Sequence, residues 1–382
     1  MIAQPFSLLS EDHVKAGNPK KTLDYISSLL PLPPSSDLSF TVTALAYLSP
    51  EQLSAALDEL SPAIYGSLEW INLNQNVALT SIITSRLSLL TCPETGRCKN
   101  SQNHLWIQPY GTWNSYDKLQ EIPGFNSNQI GFALGYDRKI QDFYFGVFGS
   151  YSFTEVNYHQ DGGSGDIDTV FGGLYGKYAS PSNLTIETAT IFSGNFYDLK
   201  RKIKYGDGNI THTIERTAKS NYNAFSFATH LGLAYDFNQF SAPVGLLANL
   251  DYSYLNQDSF DESGADCLNL SVEKQTSNML QTELGTFFSK SFIFKTRCVT
   301  PFVGMSWIVK IPLQDGVIVS NLEKQNETFK IDTANKALQF FAPKVAIKFS
   351  TKNCLALTLE AFAELSGQHK NYFVTGRVEK RF

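Results

Sequence analysis

The sequence predicts an all-β transmembrane barrel of about twelve antiparallel strands, with an N-terminal α-helix threaded into the lumen. Three observations carry this. Charged residues are only 18% of the 382 while aromatics reach 13%, with 28 Phe and 18 Tyr against 3 Met, a composition that suits half-buried strands. From His104 onward apolar residues alternate with small or polar ones at a period of two, in runs of about ten or more residues, the length a tilted membrane-spanning strand needs. Along the same stretch short turns and long polar loops succeed each other regularly, as on the two rims of a barrel.

Residues 1–47 read as a lead-in or a remnant of something longer. A helix is expected over 20–30, then the breaker Pro31-Leu32-Pro33-Pro34, then a short stretch over 38–45, with too little apolar surface for a core of its own. Residues 48–102 read as a helical linker, a plug helix and a small loop over 91–102. Ser49 is placed as an N-cap, Pro50 occupies the first helical position, Glu51 lies in the first turn, and Leu53, Leu57 and Leu60 follow at helical spacing, predicting a helix over 50–61.

A second helix is predicted over 66–90. Val77, Leu79, Ile82, Ile83, Leu87 and Leu90 recur three and four apart, interleaved with Asn76, Thr80, Ser81, Thr84, Ser85, Arg86 and Ser88. Its polar face is hydroxyl-rich and, Arg86 aside, neutral. Such a face suits a polar lumen, and it also suits an ordinary amphipathic helix on a core. Asn76, Thr80 and Arg86 are the plug-helix candidates.

Residues 103–382 read as the barrel. Strands are expected at 104–114, 128–137, 141–156, 167–180, 183–198, 221–237, 241–255, 275–291, 297–310, 336–350, 354–366 and 371–382. Ile130, Phe132, Leu134 and Tyr136 alternate with Gly131, Ala133 and Gly135, and Leu246, Ala248, Leu250, Tyr252 and Tyr254 alternate with Asn249, Asp251 and Ser253. The phase places Glu187, Asp251, Glu283, Lys344 and Glu360 toward a wet lumen, where Arg86 either pairs with one of the carboxylates or remains a solvated helix-end charge. Short turns are expected at 138–140, 181–182, 238–240, 292–296 and 351–353, and long loops at 115–127, 157–166, 199–220, 256–274 and 311–335. An even strand number puts both ends of the barrel on the short-turn rim. The helix then enters from that rim, and whatever precedes it passes through the lumen or stays below.

Other classes are disfavoured. No window approaches eighteen consecutive apolar residues, so no transmembrane helix is expected. The net charge of −5, without any basic run, argues against nucleic acid. Five cysteines show no metal-ligand spacing, and no cofactor motif is present; Cys92 and Cys98, set around Pro93 and Gly96, suit a small disulfide loop or two free thiols equally. The start, Met1-Ile2-Ala3-Gln4-Pro5, has no signal-peptide pattern. A hydrolytic site at the outer rim would need an imidazole beside a carboxylate. His159 beside Asp161, His212 and His369 are the candidates, without a GxSxG motif, and solvated loop histidines explain them more simply. No enzymatic activity is expected.

Several segments resemble the C-terminal translocator (β) domain of type V autotransporters of Gram-negative bacteria. They are Gly17-Asn18-Pro19-Lys20-Lys21-Thr22-Leu23-Asp24-Tyr25, the run Leu48-Ser49-Pro50-Glu51-Gln52-Leu53 through Gly66-Ser67-Leu68, the helix end Ser85-Arg86-Leu87, Trp106-Ile107-Gln108-Pro109-Tyr110-Gly111, Gly131-Phe132-Ala133-Leu134-Gly135-Tyr136-Asp137, and the terminal Phe382. The resemblance implies a helix-plugged twelve-stranded barrel in outer-membrane lipid, long loops outside, that carries an N-terminal passenger to the cell surface. It implies periplasmic chaperones and a barrel-insertion machinery as partners, the latter reading Tyr372, Val374, Gly376, Val378 and Phe382 of the last strand. Lys380 departs from that pattern, though a lysine near the interface can snorkel. Some family members cut themselves at an Asn-Asn bond near the helix; Asn72-Leu73-Asn74-Gln75-Asn76 contains none, so self-cleavage is not expected. No extended passenger precedes the helix in these 382 residues, which leaves the cargo open. The alternatives are a surface adhesin or a porin-like barrel without an active passenger, and, less simply, a soluble β-sandwich.

Overall fold

A computed structural model describes residues 14–88, 102–118, 121–206, 208, 213–237, 244–294, 297–314, 316–351 and 353–382. The chain begins with four helices, α1 (Asn18–Ser28), α2 (Asp37–Leu45), α3 (Pro50–Leu60) and α4 (Ala63–Ser88). The Ser49 hydroxyl accepts from the Gln52 amide at 3.3 Å while the Gln52 side chain accepts from the Ser49 amide at 3.0 Å, so a full capping box opens α3. The stretch over 38–45 is also helical, because the Ser36 hydroxyl caps α2 by accepting from Ser39 N at 3.1 Å.

The strands follow as β1 (Asn103–Tyr116), β2 (Phe125–Ile140), β3 (Phe143–Tyr158), β4 (Gly163–Ala179), β5 (Leu184–Tyr205), β6 (Ile214–Phe237), β7 (Val244–Gln257), β8 (Phe260–Asp261), β9 (Leu270–Val272), β10 (Gln275–Ser289), β11 (Phe292–Phe294), β12 (Arg297–Pro312), β13 (Val317–Leu322), β14 (Phe329–Asp332), β15 (Leu338–Thr351), β16 (Leu355–Leu365) and β17 (His369–Arg381). Twelve of them form one antiparallel barrel. Neighbours run in chain order from β1 to β7, then β10, β12, β15, β16 and β17, and β17 pairs back onto β1. The seam ends with Asn103 and Phe382 exchanging backbone hydrogen bonds of 3.1 and 3.0 Å.

The alternation read from sequence is the alternation of the wall. Ile130, Phe132, Leu134 and Tyr136 are exposed on the outer surface, whereas Ala133 is buried inside. Glycine on the inner face has a steric cause: a Cβ on Gly135 would stand 2.4 Å from the Trp106 ring, and one on Gly131 would stand 2.5 Å from the Tyr110 ring.

Two turns differ from expectation. Arg138, Lys139 and Ile140 continue β2, and the chain reverses at Gln141-Asp142 with Gln141 at φ 55°. The expected turn over 292–296 begins as strand β11, paired with β12 from Phe292↔Val299 to Phe294↔Arg297. The expected turn over 238–240 lies outside the described residues.

The outer loops differ more. The loop expected over 199–220 is largely ladder, since β5 and β6 rise as a tall hairpin with register Tyr205↔Ile214. Leu199, Arg201, Ile203 and Tyr205 point inward, while Lys200, Lys202 and Lys204 point outward. A strand above the lipid carries charge on its outer face, and that polarity reads as loop. Likewise 256–274 and 311–335 contribute β8, β9, β13 and β14 to a second, four-stranded sheet.

The lead-in helices neither thread the lumen nor stay below the barrel. They lie on the outer loops. Leu23, Tyr25, Ile26, Leu45, Leu53 and Leu57 share one apolar core with Ile203, Tyr205, Leu268, Leu270, Ile318 and Ile331. Asn18 donates to Asp332 O and accepts from Asp332 N, both at 2.8 Å, and Tyr25 stacks on Phe329 at 4.3 Å. Helices and loops bury their apolar faces against each other, which explains why residues 14–61 contain too little hydrophobic surface by themselves.

Candidate functional site

The site is the lumen and the helix inside it. Helix α4 has 26 residues, so at about 1.5 Å per residue it spans roughly 39 Å, more than the hydrocarbon thickness of about 30 Å. Its N-terminal end sits among the outer loops and its C-terminal end near the short-turn rim.

Three groups of contacts fix it. At the outer end Tyr65 donates to Glu262 at 2.5 Å; Glu262 also accepts from Arg201 at 2.8 and 2.5 Å, and Arg201 donates to Glu59 O at 2.7 Å and Leu268 O at 3.0 Å. Thus one buried guanidinium ties the α3–α4 joint to a loop and to the wall. Further down, Gln75 donates to Thr154 at 2.8 Å, and Asn76 donates to Ser226 and Ser253 at 3.1 and 3.2 Å. At the inner end Arg86, fully buried, pairs with Asp137 at 2.5 Å and lies 3.7 Å from Glu379. Tyr175 donates to the same Asp137 oxygen at 2.7 Å, and Arg381 donates to Glu379 at 2.7 Å.

Arg86 is therefore neither a solvated helix-end charge nor paired with Glu187, Asp251, Glu283 or Glu360. Its partners come from the inner ends of β2 and β17. Period-two phase in the last strand, where Arg377, Glu379 and Arg381 alternate with Gly376, Val378 and Lys380, was the available signal. No local signal shows that Asp137 would meet them, because that contact depends on barrel closure. Thr80 lies on the helix but bonds its own backbone, donating to Asn76 O at 2.9 Å; Thr84 donates to Thr80 O at 3.0 Å and Ser85 to Ile82 O at 2.9 Å. These three hydroxyls each bond the helix's own backbone.

The five lumen candidates all project inward. Glu187 lies 3.7 Å from Lys177, Asp251 is 2.7 Å from His230 Nδ1, Glu283 accepts from Asn249 at 2.8 Å, and Lys344 pairs with Glu360 at 2.9 Å. Glu187, Glu283 and Lys344 border one cavity of about 410 Å³ beside α4, which also meets Ser81, Thr84 and Ser85. The helix is off-axis: Leu79, Ile82 and Ile83 pack against Trp106, Tyr110, Phe148, Phe171 and Ile191, leaving the space on the β10–β12–β15 side.

On β17, Tyr372, Val374 and Val378 are exposed on the outer wall, Gly376 lies between the last two, and Phe382 follows the strand end. Lys380 turns its amine to Asn353 O at 2.8 Å, at the short-turn rim, which is the snorkelled position. Among the described residues, Asp161 binds Lys202 at 2.5 Å, and His369 is buried against the Tyr116 ring at 4.9 Å. His212, Cys92 and Cys98 lie outside the described residues. Cys298 and Cys354 are disulfide-bonded, and Cys267 is a free thiol. Among the described residues no three His, Cys, Asp or Glu side chains form a metal-binding group.

A closed twelve-stranded barrel with a helix through its bore defines a class, the outer-membrane barrel that has its own chain inside. The model of the autotransporter beta-domain family matches residues 105–361, and the chain belongs to that family, which places it in the outer membrane of a Gram-negative bacterium with its long loops outside. Among solved structures, the translocator domain of the autotransporter NalP from Neisseria meningitidis superposes with a TM-score of 0.61 at 12% identity, over 84% of this chain and 100% of that one. The beta domain of the Bordetella autotransporter BrkA gives 0.54 at 11%, over 74% and 100%. In sequence the chain is 20% identical to an extracellular serine protease of Serratia marcescens over 88% of its own length and 32% of the protease. It is 23% identical to outer membrane protein A of Rickettsia conorii over 75% of its own length and 15% of that protein. The chain thus spans a third or less of these relatives.

Proposed function

We propose that this chain is the translocator of a surface protein: it carries the polypeptide N-terminal to α4 through the barrel and holds it on the outside. The observation that supports this most directly is the direction of α4. Its N-terminal end emerges among the long loops, and residues 14–61 are already folded beyond the mouth. Any segment attached ahead of them leaves on the same side.

Retention rather than release fits the same helix. Asn72, Asn74 and Asn76 lie within uninterrupted helix, and Asn76 is held by wall hydroxyls. On this reading the outer face of β17, with Tyr372, Val374, Gly376, Val378 and Phe382, is what the insertion machinery reads after periplasmic chaperones deliver the chain. The inner carboxylates and lysines keep the bore wet during passage. The division into a lead-in over 1–47, a linker and plug over 48–102 and a barrel over 103–382 is a division by task.

The experiment is an epitope placed ahead of residue 14, behind a secretory signal, expressed in an outer-membrane host. Surface labelling of intact cells, lost on external protease treatment while a heat-modifiable barrel persists, supports the reading. A folded barrel with the epitope protected inside the cell rejects it in favour of a porin-like role.

A further inference from the structure

The lumen is not filled evenly along its length, and this bears on where the membrane is sealed. Below the middle of α4 the cavity of about 410 Å³ reaches Asn183, Asp236, Ser289 and Ser291, at or beside the short-turn ends of β5, β6 and β10. It ends upward at Ile308, Ala342 and Glu364. Just above stands Lys310, 2% exposed at its side chain, whose amine donates at 2.6 Å to Asn74 of the helix and at 2.6 Å to Glu364. Asn371 donates at 2.8 Å to the same Glu364 oxygen and at 2.8 Å to Tyr116, so the layer runs from α4 across β12, β16, β17 and β1. Above it, Trp70, Leu73, Met279 and Pro312 leave a space of about 60 Å³, roofed by Ile122 and Thr333 and then by the helices over the loops.

We infer that the permeability barrier is the Lys310–Glu364–Asn74 layer together with the lid formed by residues 14–61 over the loops, and that the lumen beneath is a vestibule open to the periplasm. The helix alone does not seal the bore. It presents Ser81, Thr84 and Ser85 to the vestibule and makes its closing contact through Asn74. A buried lysine with a carboxylate and an amide around it closes a polar bore without an apolar plug, because each of its partners comes from a different element and water gains nothing by entering.

The test uses the full chain with Cys92, Cys98 and Cys267 each replaced by Ser, reconstituted in vesicles in known orientation. Ser306→Cys and Ser289→Cys are introduced singly, both lining the vestibule, and a small charged thiol reagent is added to one face at a time. Labelling many-fold faster from the periplasmic face than from the outer face at both positions supports the inference. Equal labelling from both faces, or none from either, overturns it. Heat-modifiable mobility confirms that each variant is folded. A third variant, Lys310→Met with Glu364→Gln and Ser306→Cys, gauges the layer itself: several-fold faster labelling from the outer face than in its parent is expected, and an unchanged rate removes the layer from the barrier.

Discussion

Arg86, near the C-terminal end of α4, and Asp137, near the inner end of β2, form an ion pair of 2.5 Å with neither side chain exposed to solvent. Fifty-one positions separate them in the chain, and the pair anchors the inner end of the helix to the barrel wall. Tyr175, Trp106 and His104 surround it: Trp106 donates to Tyr175 at 2.8 Å, and His104 Nδ1 lies 3.1 Å from Asp137.

Replacing Arg86 with Met leaves Asp137 buried without its cation, while Glu379 keeps Arg381 at 2.7 Å. Breaking a buried pair in this way costs about 3–5 kcal/mol. The expected outcome is a clear drop in the denaturant midpoint of the purified barrel, with recovery of part of it when Asp137→Asn is added. Equal midpoints for Arg86→Met and the parent would show that the helix is held elsewhere.

At the lid, Asp37 and Arg216 make a bidentate contact of 2.6 and 2.7 Å, and that guanidinium holds the Asp37 carboxyl well below the usual carboxylate range. Since the folded carboxyl is the stronger acid, the pair stabilises the docked lid fully above the ordinary aspartate value of about 4 and loses its contribution as pH falls from there toward the lower folded value. Asp37 is partly exposed, so the contribution is about 1 kcal/mol or less. Limited proteolysis of residues 14–61 is expected to show loosening as the pH falls below about 4. Asp37→Asn removes that transition; a transition of undiminished size in the variant assigns it to other carboxyls.

Cys267 reports on the same contact. Its thiol is 3.6 Å from both Thr41 and Arg216, and burial pushes it up to about 11. The thiolate is the reactive form, so at pH 8 the folded protein should alkylate on the order of 100-fold more slowly than the unfolded chain. Undocking the lid by Leu53→Asp should restore fast alkylation. A thiol that reacts at the unfolded rate in the intact protein would contradict the packing of α2 against the loop.

The sequence reveals the parts of this molecule that obey a local period. Asp251, Glu283 and Glu360 can be placed inward because membrane strands alternate rigidly between lipid and lumen, and Ser49 marks a helix start because a cap is local chemistry. The outer third is not legible in this way. Lys200, Lys202 and Lys204 lie on a strand that has left the lipid, so the outer face no longer has to be apolar and the signal for strand disappears. Likewise Leu23 and Leu57 find their core only on loops some 150 to 300 residues later, and Lys310 meets Asn74 only because the wall closes around the helix. Contacts of that separation leave no trace in a window of neighbouring residues.

Gly135 offers a last check of how wall and helix fit. The inner face of β2 is small where Trp106 lies across it, and the Arg86 guanidinium stands 5.6 Å from the Trp106 ring. A methyl group at Gly135 would meet that ring at 2.4 Å and the Val147 carbonyl at 2.8 Å, so the indole has to move toward the helix. Overpacking of this kind costs about 1–3 kcal/mol. Gly135→Ala should therefore lower the denaturant midpoint and shift the indole emission, and combining it with Arg86→Met should cost less than the sum of the two because both changes disturb the same contact. Strict additivity in that cycle would mean that Trp106 relaxes without touching the helix end.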